Sequence, residues 1–153
     1  MADVLDMAIP AQACAPWRVR RAVSDWLGGL CGVSPLCDTG EDLVYAVSEA
    51  VANCVDHAYS GDGPGAVTVT VTGHIVRLGG ARSPRVGCLG PFRIELAIGD
   101  SGRWKEPARE PGDRGRGLRM IEAFVDALEV DRARTGTTVT VRQLMDCPAH
   151  RAR

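Results

Sequence analysis

The chain has 153 residues, 45% of them hydrophobic and 24% charged, with a formal net charge of −1. That length suits one domain with a real core, and the balanced charge excludes a dedicated nucleic-acid binder, which would carry a basic excess. No apolar run is long enough to span a membrane and the start, MADVLDMAIPAQ, lacks a basic n-region, so the expectation is a cytoplasmic protein with no membrane partner.

Residues 1–13 read as a loose start with an edge strand as an alternative. From Pro16, the series Trp17, Val19, Ala22, Val23, Trp26, Leu27, Leu30 recurs at helical spacing, and Gly28, Gly29 and Gly32 are expected to weaken and end that helix. A longer helix should follow, with Thr39 as N-cap and Glu41 and Asp42 in its first turn, where the helix dipole favours negative charge. Its apolar face would be Leu43, Val44, Val47, Ala50, Val51, Cys54, Val55 and Ala58, and the run from Ser60 to Gly65 breaks it.

Val67–Thr72 and Phe92–Ile98 alternate with period two and predict strands buried on one face. Ile75, Val76 and Leu78 could extend the first, leaving Gly79–Gly90 as a long loop. A second apolar helix is expected from Leu118 to about Ala127, opened by Gly115-Arg116-Gly117. Ala127–Asp131 and Thr137–Leu144 then predict two strands joined at Arg134-Thr135-Gly136, with a polar tail over 146–153. The six cysteines (Cys14, Cys31, Cys37, Cys54, Cys88, Cys147) form no C-x-x-C pair and have no His partner at ligand spacing. They read as reduced, mostly structural thiols, with Cys54 a small hydrophobe in a helix.

Four segments carry the candidate chemistry. Glu49, Asn53 and His57 are spaced i, i+4, i+8, so each lies about forty degrees round the helix from the last. They fall opposite Val47, Val51 and Val55, and could be no more than the wet side of an amphipathic helix. Asn is an indifferent helix former, however, and its amide oxygen could ligate Mg²⁺, while Glu49 one turn earlier could accept a proton. Ile98-Gly99-Asp100-Ser101-Gly102 is either a plain β-turn or a strand-end carboxylate placed to accept the amine of a base. Arg114-Gly115-Arg116-Gly117-Leu118 would expose free N–H groups at the positive end of a helix, where phosphate oxygens fit. Gly136-Thr137-Thr138 is either a hairpin corner or a hydroxyl facing the same base.

Together AVSEAVANCVDHAY, IGDSGRW, RGRGLRMIEAFVD and RTGTTVTV resemble the N, G1, G2 and G3 boxes of the GHKL ATPase superfamily, and within it the bacterial anti-sigma-factor serine/threonine kinases. The resemblance covers Trp17 to Leu144, and no Walker-type G-x-x-x-x-G-K-[ST] occurs. It implies an α/β (α+β) two-layer sandwich of the Bergerat type, a mixed or antiparallel sheet covered on one face by helices, with ATP and Mg²⁺ between the layers. On that reading 15–145 form the ATPase domain. Asn53 ligates Mg²⁺ and Glu49 is the catalytic base. Asp100 holds the adenine amine and Gly102 allows close approach. Gly115, Arg116, Gly117 and Leu118 wrap the phosphates, Thr137 and Thr138 complete the base pocket, and Lys105–Arg114 form a lid. His57 has no assigned step and reads as a structural cap. Trp104 stands where much of the superfamily has a second G1 glycine.

The function so implied is an anti-sigma factor that sequesters a sigma factor and phosphorylates an anti-anti-sigma antagonist. The resemblance also allows a homodimer. The alternative is a nucleotide-gated protein-binding regulator without kinase activity, which Trp104 and the long 79–90 loop motivate. A histidine-kinase catalytic domain fits less well, since there is no room for a phosphoacceptor helix pair. A basic nucleic-acid surface at Arg103–Arg119 is interrupted by Glu106, Glu110 and Asp113.

Overall fold

Period-two alternation builds the sheet. In the computed structural model, residues 4–31, 36–59, 67–78, 91–101, 113–133 and 136–145 are described, apart from the side chains of 57–59 and 113–117. Five strands, β1 (Val4–Pro10), β2 (Thr68–Arg77), β3 (Phe92–Asp100), β4 (Ala127–Ala133) and β5 (Gly136–Met145), pair in the order β1-β2-β3-β5-β4. Every described pair is antiparallel. The register aligns the inward rungs: Met7 faces Val71, Val71 faces Ile98, Ile98 faces Val139 and Val139 faces Val130. A slip of one residue would turn each of these side chains to water, so burial of one face fixes the pairing.

Three helices cover that inward face: α1 (Ala15–Cys31), α2 (Asp38–Tyr59) and α3 (Asp113–Phe124). α2 lies between the other two and sits on β3 and β5. Its stripe Leu43, Val44, Val47, Ala50, Val51, Cys54 and Val55 is buried against Ile94, Leu96, Ile98 and Val141. The opposite face of the sheet is exposed and carries a cluster of charged side chains. Arg142 donates from Nε to Glu95 at 2.8 Å and from Nη1 to Glu129 at 3.1 Å, with His74 beyond Glu95 at 3.9 Å. Such exposed pairs add little stability, but they keep that face wet and the architecture two-layered. The expected fold class therefore holds, with the antiparallel form of the sheet.

Four helix boundaries differ from the sequence expectation. α1 continues through Gly28 and Gly29 to Cys31. Each glycine costs about 1 kcal/mol in a helix, and burial of Leu30 and Cys31 beyond them more than offsets it. α2 begins at Asp38, because the Cys37 carbonyl accepts the first helical bond from the Glu41 N–H at 2.9 Å. Asp38 and Glu41 are then the first-turn acids, and Thr39 lies inside the helix rather than capping it.

α3 starts at Asp113 rather than Leu118, so Gly115, Arg116 and Gly117 are helical. It ends at Phe124, short of Ala127, because the next residues are captured by β5. The Asp126 N–H donates to Gln143 Oε1 at 3.0 Å, and Asp126 Oδ2 accepts the Leu144 N–H at 2.8 Å. Gln143 is buried without penalty, since its amide nitrogen also donates to the Leu144 carbonyl.

The seat of α1 depends on a missing side chain. A Cβ at Gly73 would lie 2.7 Å from Leu96 Cδ2 and 2.8 Å from Trp26 Cη2. Gly73→Ala should lower stability by about 1–3 kcal/mol through overpacking. In urea, tryptophan fluorescence should show an earlier midpoint with an unchanged slope. An unmoved midpoint would mean that the Trp26 ring shifts freely.

Candidate functional site

Strand β3 ends on a carboxylate, Asp100. Asp100 follows Ile98 on the inward face and is flanked by Val69 of β2 and Thr137 of β5. The chain is clamped one residue later. The Thr68 N–H donates to Ser101 Oγ at 3.0 Å, and the Ser101 N–H donates to the Thr68 carbonyl at 3.2 Å. On the other side Gly136 enters β5 with φ +150°, and any Cβ there would overlap the Asp100 carbonyl oxygen. Only glycine meets both conditions, so the approach of β5 to Asp100 is dictated at this position.

Helix α2 closes over the same end. Cys54, 5% exposed and toward the C-terminal end of α2, sits near enough to Asp100 to feel its charge, which places that part of the helix over the end of β3. Burial pushes the thiol pKa up, and the charge of Asp100 pushes it further, so the thiol stays protonated. Asn53, the neighbouring residue, and Glu49 are half-buried, whereas Glu41 and Asp56 on the same helix are exposed. Glu49 and Asn53 are thus not the plain wet side of the helix. They line a partly covered edge, one turn or about 6 Å apart along the axis.

That edge faces α3. Tyr45, one turn before Glu49, meets Phe124 at the end of α3 edge-to-face, with ring centroids 5.4 Å apart at 74°. The backbone of Tyr45 is itself held by Ser48, whose hydroxyl donates to the Tyr45 carbonyl at 2.9 Å. α3 is anchored by Ile121 with half-buried Leu118 packed on the core. The early start of α3 changes which backbone groups are open. The first N–H groups of a helix have no internal partner. With Asp113 as the first helical residue these belong to Asp113, Arg114 and Gly115, while those of Gly117 and Leu118 enter the helical ladder.

The structure therefore brings Asp100, Thr137, Asn53 and Glu49 to one end of the helix–sheet interface. Thr138 is not among them. It pairs with Gly99 and shares the outer face of the sheet, where its Oγ1 lies 3.5 Å from a Cβ built on Gly99. Consecutive strand residues point to opposite faces, so Thr137 and Thr138 cannot both face one pocket. Gly102, Trp104, the lid residues 105–112 and the loop 79–90 lie outside the described residues, as does the side chain of His57. Two participants were hidden in the sequence. Gly136 read as part of a hairpin corner or a hydroxyl-bearing turn, with no sign of its contact with Asp100, and Cys54 read as a small apolar residue beside Asn53.

Gly136→Ala should destabilise the protein by about 1–3 kcal/mol from the backbone conformation alone, with the overlap on Asp100 added. Urea denaturation should show this loss, whereas Gly29→Ala, a helical position where a Cβ meets nothing within 4 Å, should gain up to about 1 kcal/mol. No loss in Gly136→Ala would show that the β5 corner relaxes away from Asp100.

The model of the histidine kinase-like ATPase domain matches residues 9–143. The chain is 30% identical over 118 residues to the anti-sigma F factor of Lysinibacillus sphaericus, covering 74% of this chain and 75% of that protein. It resembles the crystal structure of the RsbU and RsbW domains of Rv1364c from Mycobacterium tuberculosis, with a TM-score of 0.59 and 24% identity. That likeness concerns the fold, and it spans 93% of this chain but only 32% of the longer one. With most of its length inside the domain model and an anti-sigma factor among its relatives, the chain belongs to the histidine kinase-like ATPase family, in its anti-sigma-factor branch.

Proposed function

We propose that this protein is an ATP-dependent anti-sigma regulator of the cytoplasm. It sequesters a sigma factor and phosphorylates a serine or threonine hydroxyl on an antagonist protein. The observation that carries the reading is the joining of two helical roles to one strand end. Cys54 sets α2 beside Asp100, and on the same helix Asn53 and Glu49 lie half-covered toward α3.

The donors present fit a magnesium-bound nucleotide. Asp100 would accept the 6-amine of adenine, a carboxylate being able to take a hydrogen bond from a neutral amine without a proton of its own. Thr137, on the same face of the sheet and paired with Asp100, would close the base pocket. Asn53 would offer its amide oxygen to the metal, since Mg²⁺ takes few protein oxygens and keeps water and phosphate for the rest. Magnesium, when bound, neutralises charge on the phosphate oxygens.

The first turn of α3, with the open N–H groups of Arg114 and Gly115, would hold phosphate at the positive end of its dipole. Phe124 is fixed at Tyr45, nine residues before Cys54. A course of α3 antiparallel to α2 would bring that turn to the level of Asn53. Gly102, Arg116, Gly117 and Leu118 would contribute space and packing around this turn. The lid over 105–114 would complete the enclosure.

The transfer itself asks little of the chain beyond positioning. The hydroxyl oxygen of the antagonist attacks the γ-phosphorus, and the bond from that phosphorus to the bridging β–γ oxygen breaks. Glu49 takes the hydroxyl proton, and ADP leaves with the electron pair of the broken bond. The products are ADP and a phosphorylated antagonist, which no longer displaces the sigma factor.

Glu49→Gln should reduce phosphate transfer by at least about 100-fold while leaving Mg-ATP affinity within about twofold, as judged by transfer of radiolabelled γ-phosphate to the antagonist and by calorimetry. Asn53→Ala should instead remove the heat of Mg-ATP binding. Normal transfer by the Glu49→Gln protein would dismiss Glu49 as the base. Tight nucleotide binding with no transfer by the wild-type chain would leave a nucleotide-gated binding regulator.

A further inference from the structure

The two outer strands of the sheet are not alike. β4 carries Glu129, Asp131 and Arg132, a charged edge of the kind that resists pairing with another chain. β1 reads Val4-Leu5-Asp6-Met7-Ala8-Ile9-Pro10, with Asp6 its one charge.

The ladder decides which backbone groups of β1 are open. The Ala11 N–H donates to the Val67 carbonyl at 2.9 Å, in step with the pairing of Ile9 with Val69, Met7 with Val71 and Leu5 with Gly73. Bonded pairs alternate along an antiparallel ladder, so Leu5, Met7 and Ile9 spend their N–H and C=O groups on β2. The Leu78 and Ser101 N–H groups donate to the Pro91 and Thr68 carbonyls, which turns the even residues of β2 to β3 and agrees with that phase. The N–H and C=O groups of Val4, Asp6 and Ala8 therefore point off the edge of the sheet. Among the described residues nothing bonds to them.

We propose that β1 is a dimerisation edge, pairing antiparallel with β1 of a second copy so that the two Met7 residues face each other across the two-fold axis. The strand itself sets this register. An axis at Met7 overlaps the whole of Val4–Pro10 and places Asp6 of each copy opposite Ala8 of the other, where outward groups exchange about four backbone bonds. Pro10 ends the ladder, since it has no N–H and its carbonyl already accepts the Gln12 N–H at 2.9 Å. An axis at Asp6 would set two carboxylates directly opposite, which is destabilising. An axis between two residues would oppose outward groups to spent ones and make no bonds.

The side chains agree with that pairing. Leu5 and Met7 lie on the inward face, half-buried and packed on the core. A second β1 would cover them with its own Ile9 and Met7 and carry the core across the axis. The same edge meets itself, so the contact closes at two copies. No residue assigned to the nucleotide site lies on β1, so the two readings stand or fall separately.

The test is sedimentation velocity of the full chain over a concentration series, for wild type, Ala8→Pro, Ala8→Lys and Ala8→Asp. Wild type should sediment as a dimer, at twice the 16.3 kDa of one chain. Ala8→Pro removes an outward N–H and no bond within the chain, a place where an edge strand tolerates proline. Two symmetry-related bonds are lost, so self-association should weaken by at least about tenfold. Ala8→Lys would face Asp6 of the second copy twice over and should tighten the dimer by about three- to tenfold, whereas Ala8→Asp should loosen it by a similar factor. Circular dichroism checks folding, and if Ala8→Pro does not fold, the Lys and Asp variants carry the test.

Amide exchange followed by NMR gives a second readout. In the dimer the Asp6 and Ala8 amides should be protected along with Leu5, Met7 and Ile9, and dilution to monomer should release the first two alone. A wild-type chain that remains monomeric up to its solubility limit would overturn the inference. A dimer indifferent to all three substitutions would overturn it as well, and equal loosening by Lys and Asp would rule out the Met7-centred register.

Discussion

The seat of α2 over the end of β3 is the contact on which the rest of this molecule depends. One side of that helix supplies the central apolar stripe of the core, from Leu43 to Val55. An adjacent side carries Glu49 and Asn53 half-covered toward α3. Both roles follow from one rotation of the helix about its axis, since residues four apart share a face. A twist large enough to expose Cys54 would uncover Val51 and Val55 with it. Burial of apolar area at roughly 25 cal/mol per Å² resists that rotation, so the core holds the polar edge in place.

The sheet is arranged to meet that helix at one point. β3 is the central strand, paired on both sides, and its last residue is Asp100. Ser101 and Thr68 clamp it to β2, and Gly136 lets β5 come close on the other flank. A carboxylate at the end of an unpaired strand would wander. Here both neighbours hold the backbone, and Cys54 of α2 lies beside the side chain. Rigidity at this spot comes from backbone pairing.

Among the described residues, the ties of α3 gather at its exit. Tyr45 and Phe124 join it to α2, and Asp126 with Gln143 and Leu144 ties the following turn to β5. Its first five residues include Gly115 and Gly117, the residue type that pays most backbone entropy in a helix.

Periodicity by itself determined a good deal here. Strict alternation from Val67 and from Phe92 announced strands with one buried face, and the apolar stripe of α2 was legible residue by residue, because both patterns are local consequences of where water is excluded. The motif segments identified the family for the same reason: helix, turn and strand chemistry agreed with one another along the chain. Tertiary structure decided what local pattern could not. Gly28 and Gly29 look like a helix end until the burial of Leu30 and Cys31 is known. Thr137 and Thr138 are equivalent as letters, but the register with β3 sends them to opposite faces. Cys54 reads as one more apolar residue in a stripe. Only the packing of α2 on β3 sets it against a carboxylate forty-six positions away in the chain, because long-range contact is a property of the assembled layers and not of any segment within them.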